Sequence, residues 1–119
     1  MSSSNMKKFL VFYFIPASVM AGWSETDAST RKAGETKMRA VWDRWLADHA
    51  DMVKITEVGG KTKRVSSNGV SDTKNDIILY SFVEAESHEA AAKSFENHPH
   101  LQIPQSFIEV MEVKPMTTI

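Results

Sequence analysis

The sequence predicts a single α+β domain whose main elements alternate as βαββαβ. Three observations predict it. Residues 9–15 and 77–83 are rich in β-branched and aromatic residues and apolar on both alternating faces, as in central strands covered on two sides. Residues 28–49 carry apolar side chains at spacings of three and four, the period of an amphipathic helix. Residues 75–113 read as a strand, a short helix, a histidine-bearing corner and a returning strand.

The elements follow in order. Residues 1–6 are polar apart from the methionines and are expected to form a flexible tail, with Met6 a second candidate start; the domain spans 7–115, and 116–119 form a C-terminal tail. Lys7-Lys8, the apolar run 9–15 and Val19-Met20-Ala21 imitate a secretory leader. The strand reading is preferred. Phe9, Val11, Tyr13 and Ile15 alternate with Leu10, Phe12 and Phe14, and Pro16 stands where a strand would end. The run is too short to cross a bilayer. A cytoplasmic location is therefore expected.

Residues 17–23 form a short apolar link, about one helical turn. Ser24 and Asp27 offer side-chain oxygens to cap the long helix. Its stripe is Met38, Val41, Trp42, Trp45, Leu46 and His49, which packs it on a sheet. Residues 52–58 form the next strand, ended by Gly59-Gly60. Residues 61–65 are expected to return against it as a hairpin, because a glycine pair permits positive φ. Lys61, Lys63 and Arg64 suggest either a grip on an anion or a solvated, lysine-protected edge. Residues 66–74 read as a mobile loop.

In the strand 76–84, Ile77, Leu79 and Val83 share one face, and Ile78, Tyr80 and Phe82 the other. Ser87 caps a helix to Asn97 with Ala91 and Phe95 inward, and Pro99 stops it. The last strand turns Ile108 and Val110 to one face, and Phe107, Glu109, Met111 and Val113 to the other. This order is the split βαββαβ unit of ferredoxin-like folds. Two helices cover only one face of such a sheet. A second copy packed face to face is expected to cover the other, giving a homodimeric α/β barrel.

Composition narrows the function. Of 119 residues, 42% are hydrophobic and 24% charged, ordinary values for one globular domain. The net charge of −1, from 14 basic and 15 acidic residues, gives no footprint for nucleic acid or an anionic membrane. The absence of cysteine excludes disulfides, thiol nucleophiles and thiolate metal sites within this chain. No phosphate-binding glycine loop, nucleophile elbow, paired-histidine zinc helix or calcium loop is present.

Leu79-Tyr80-Ser81-Phe82-Val83-Glu84-Ala85-Glu86-Ser87-His88-Glu89-Ala90-Ala91, the corner His98-Pro99-His100-Leu101 and Ile108-Glu109-Val110-Met111-Glu112-Val113-Lys114-Pro115 together resemble the YCII-related, or DGPF-domain, proteins of the dimeric α/β barrel superfamily. The resemblance covers residues 77–115 and is weaker over 7–45. The Asp-Gly-Pro-Phe motif is replaced by Ser71-Asp72-Thr73-Lys74-Asn75-Asp76. The resemblance implies a ferredoxin-like protomer, a homodimer and, in some relatives, a His–Asp pair near the first helix. This chain has no histidine before His49, so that pair does not transfer.

Candidate chemistry centres on His98 and His100. Two apart in an extended segment, they point to one side and suit a base or a ligand. The plain alternative is that one caps helix carbonyls and the other packs at the corner. If the chain is an enzyme, His98 or His100 is the base, Glu109 its orienting carboxylate and Tyr80 a hydrogen-bond donor. Trp42, Trp45 and Tyr13 are candidates for a substrate pocket between helix and sheet, or else ordinary core residues. No metal and no cofactor are expected. Two readings stay open: a protein that binds a small aromatic or lactone-like compound, with or without acid–base catalysis, and a non-catalytic dimeric module with structural histidines. A histidine facing a pocket within reach of a carboxylate supports the enzyme; histidines bonded only to backbone support the module.

Overall fold

A computed structural model describes residues 6–118. The expected N-terminal tail therefore lies, except for Met6, outside the described residues. At the other end, Met116–Thr118 form a short 3-10 turn.

Strand β1 (Lys7–Phe14) is followed by helices α1 (Ala17–Ser24) and α2 (Ala28–Asp48). Strands β2 (Val53–Val58), β3 (Thr62–Ser66), β4 (Gly69–Thr73) and β5 (Ile77–Ala85) follow, then helix α3 (His88–Lys93), a 3-10 turn (Pro99–Gln102) and strand β6 (Phe107–Val113). Four strands form an antiparallel sheet in the order β2-β5-β1-β6. The two-sided apolar strands β5 and β1 thus take the central places.

Register sets the faces. Tyr13 lies between Leu79 and Ile108, whereas Phe12 lies between Tyr80 and Glu109. Phe9, Val11, Tyr13, Val83 and Ala85 point toward α2 and α3 and are buried with Trp42, Trp45, Ala91 and Phe95 in one core. The opposite face carries half-buried Leu10, Phe12, Phe14 and Phe82 and leaves Ile55, Phe107 and Met111 more exposed. Phe14 and Phe107 stack there at 4.6 Å.

Local chemistry explains the helices. The Asp27 carboxylate accepts the Thr30 N–H at 2.7 Å, and the Ser87 hydroxyl accepts that of Ala90 at 3.0 Å; both are N-caps of the usual kind. The Asp27 carboxyl is held below its ordinary value, first by the Thr30 amide. The link after Pro16 is longer than expected: α1 has eight residues. Trp23 docks it on α2, where Gly34 leaves room for the indole; a Cβ there would come within 2.7 Å of it. Its Nε1–H donates to Glu35 at 3.3 Å.

Three expectations are corrected. β3 pairs with β4 and not with β2, whose partner is β5. Neither Gly59 nor Gly60 has positive φ; Gly69 does, at 115°. The turn at Ser67-Asn68-Gly69 therefore closes the hairpin, with Val65 opposite Val70 and a Lys63–Asp72 ion pair at 2.6 Å. Second, residues 66–74 are for this reason mostly hairpin, not a loop. Third, α3 ends at Lys93 and continues in turns to residue 97, so Pro99 opens the 3-10 turn and does not stop the helix.

Candidate functional site

The centre of the core is a cluster of rings drawn from four parts of the chain. β1 supplies Tyr13, α2 supplies Trp42 and Trp45, the turn after α3 supplies Phe95, and the corner supplies His98 and His100. The His98 ring lies 4.4 Å from Trp42, 4.3 Å from Trp45 and 5.4 Å from Tyr13, centroid to centroid. His100 lies 5.5 Å from Tyr13. Both histidines are 1% exposed. Both rings neighbour Tyr13, and they are placed by a tight 3-10 turn and not by the alternation of an extended segment.

Their bonds fix their protonation. His98 Nδ1 accepts the His100 backbone N–H at 2.9 Å, capping the 3-10 turn. The proton of the neutral ring therefore sits on Nε2, which is buried and has no hydrogen-bond partner among the described residues. Steep ring angles of 79° and 61° to Trp42 and Trp45 suit an N–H lying against aromatic faces. Burial, helped by the neighbouring His100 and His49, pushes the His98 pKa down to about 3. His100 Nε2–H donates to the Phe14 carbonyl at 3.0 Å. Burial also lowers the His100 pKa, against the pull of that carbonyl. Both rings are neutral at physiological pH.

Beside them runs a chain of hydroxyls. Tyr13 Oη lies 2.7 Å from Ser81 Oγ, and Ser81 Oγ lies 2.7 Å from Thr56 Oγ1. Burial outweighs the Ser81 bond and pushes the Tyr13 pKa up to about 12. Tyr13 is therefore a neutral donor and not a base.

A cleft of about 950 Å³ opens between α1, α2 and the end of the sheet at β2 and β5. Its walls are largely apolar, with Ile15, Met20, Trp23, Met38, Trp42, Leu46 and Leu79 among them. Thr56 and His100 are polar residues in its lining, and Glu35, Arg39 and Asp43 also border it. A space of this size holds a small organic molecule.

The expected site residues divide. His100 and Trp42 line the cleft; Tyr13, Trp45 and His98 stand outside its lining, within the core. Glu109 and Tyr80 are not brought to the histidines. Both lie on the other face of the sheet, where each is registered with Phe12, and the Tyr80 hydroxyl donates to Glu57. That bond raises the Tyr80 pKa. The reason is the period of two: residues across from Phe12 cannot share the face of Tyr13. Sequence reading missed Ser81 and Thr56. A serine on the inward side of an apolar strand was the available sign, since a buried hydroxyl needs a partner. Among the described residues, no group of three or more histidine or acidic side chains is arranged to hold a metal ion.

No family model and no curated protein matches this chain. Among solved structures, it is similar to a hydantoinase/carbamoylase family amidase from Burkholderia ambifaria, with a TM-score of 0.36 and 12% identity. The match covers 92% of this chain and 27% of that one, so the chain spans about a quarter of the amidase's length.

Proposed function

We propose that this chain binds a small, partly apolar compound in the cleft between α1, α2 and the sheet, without using its histidines as an acid–base pair. The observation that carries this reading is the cleft itself: an apolar volume of about 950 Å³ with few polar groups, Thr56 and His100 among them. The histidine bonds favour binding over catalysis. Among the described residues each imidazole of His98 and His100 is hydrogen-bonded only to backbone, and Glu109 lies on the other side of the sheet. A YCII-related protomer of ferredoxin-like order is supported by the strand order β2-β5-β1-β6 and by the sequence resemblance at residues 77–115.

Amide shift mapping with small aromatic and lactone-like compounds tests the site. Perturbations should cluster at Trp42, Thr56 and His100. Perturbations confined to other surfaces, or none with any compound, overturn the reading.

A homodimer is a separate proposal, favoured by the apolar sheet face. Leu10, Phe12, Phe82 and Met111 form a patch that a second copy would bury. Sedimentation equilibrium should give a dimer for the native chain and a folded monomer for Phe12→Asp. A native chain that stays monomeric at high micromolar concentration refutes it.

A further inference from the structure

The hydrogen-bond polarity of the cleft specifies the head group of its ligand. The hydroxyl chain can run in only one direction. Tyr13 is fully buried and, among the described residues, its hydroxyl meets only Ser81, so Tyr13 donates. Ser81 is also fully buried and among the described residues its hydroxyl meets only Tyr13 and Thr56, so it donates to Thr56. A buried O–H left without an acceptor is costly, which forbids the reverse order. The Thr56 proton is therefore the one left free, on a residue that lines the cleft.

His100 presents the complement. Its Nε2–H is committed to the Phe14 carbonyl, its backbone N–H to His98, and its own carbonyl accepts the Ser106 hydroxyl at 2.8 Å. The ring is thus fixed, and Nδ1 remains as a lone pair with no hydrogen-bond partner among the described residues. Thr56 and His100 thus add a donor and an acceptor to the lining, where the Thr26 hydroxyl already donates to the Gly22 carbonyl at 3.3 Å and the Gln102 amide is itself uncharged and able both to donate and to accept. Its border carries Glu35 and Asp43 against Arg39, whose Nε already donates to Asp43 at 2.8 Å. This leaves the border with an excess of negative charge.

We infer that the cleft selects an apolar molecule whose head group is uncharged and both donates and accepts, a carboxamide or a hydroxyl, and that it rejects the corresponding carboxylate. This rests on the reading of the cleft as the binding site. A carboxylate satisfies Thr56 but turns an oxygen lone pair toward that of His100 Nδ1, and it meets the acidic border. An amide N–H donates to Nδ1 while its carbonyl accepts from Thr56. A site built to hydrogen-bond a donor discriminates strongly against an analogue that lacks it.

The test compares 2-naphthamide with 2-naphthoate, which share a shape and differ in head-group charge. Calorimetric titration at neutral pH, with shift mapping that includes the His100 ring nitrogens, should show the amide binding about tenfold or more tighter. The amide should perturb Nδ1 more than Nε2. Thr56→Val should weaken the amide several-fold. Equal or tighter binding of naphthoate, with both compounds in the cleft, overturns the head-group inference and leaves the site standing. An amide affinity unchanged in Thr56→Val overturns the donor assignment. If neither compound perturbs cleft residues, both the inference and the cleft reading fail.

Discussion

Replacing His98 by asparagine should change how stability depends on pH. The unfolded chain takes up a proton on this histidine near the ordinary value of 6.5, whereas the folded chain does not until about pH 3. Between those values the unfolded state binds more protons, so stability is complete above pH 6.5 and is lost as pH falls. At about 1.4 kcal/mol per pH unit, His98 alone removes about 2.5 kcal/mol between pH 7 and pH 4.5. The introduced asparagine retains an acceptor for the His100 N–H but has no proton to gain. It also leaves a void among Trp42, Trp45 and Phe95, which costs about 1–3 kcal/mol at pH 7. The two proteins should therefore differ at pH 7 and converge near pH 4.5. Urea denaturation at steps across that range measures it, because carboxylates common to both cancel in the difference. A gap between His98→Asn and the native chain that stays constant within about 0.5 kcal/mol would refute the burial argument.

Tyr13→Phe removes the donor that polarises the hydroxyl chain while keeping the ring against Trp42; a loss of about 1 kcal/mol is expected from denaturant midpoints. In the native chain the Tyr13 phenol should resist ionisation until about pH 12, read as an ultraviolet step missing from the usual tyrosine range. Gly34→Ala gains helix propensity of about 1 kcal/mol but drives a methyl into the Trp23 indole. The indole must move, so the emission of Trp23 should shift to the red; an unchanged spectrum contradicts the α1–α2 contact. Ser87→Ala should cost about 1 kcal/mol through the lost N-cap of α3, and an unchanged midpoint would show that the cap is redundant.

The histidine cluster was legible in part. Sequence spacing placed His98 and His100 together at a corner after a short helix, and both are there. What spacing could not supply was the backbone through which they meet, nor the aromatic wall that keeps them neutral. That wall comes from residues more than fifty positions away in Trp42 and Trp45 and more than eighty away in Tyr13. Ser81 and Thr56 were passed over for a similar reason. A hydroxyl on a strand is unremarkable until its neighbours across the ladder are known. The β3–β4 hairpin was legible in principle, since Asn68-Gly69 lies between Val65 and Val70; the glycine pair at Gly59-Gly60 competed with it and was the weaker turn.

By itself the sequence determined the main elements β1, α2, β2, β5, α3 and β6, and which residues of each share a face, while β4 and the end of α3 escaped it. Those follow from local periodicity and capping, which depend on near neighbours. Only the tertiary structure decided which strands pair and on which side of the sheet the corner folds. Pairing put Tyr80 and Glu109 opposite Phe12, away from the histidines, and put Thr56 against Ser81. A period of two gives relative sides within one strand; only the ladder between strands makes those sides common to the whole sheet.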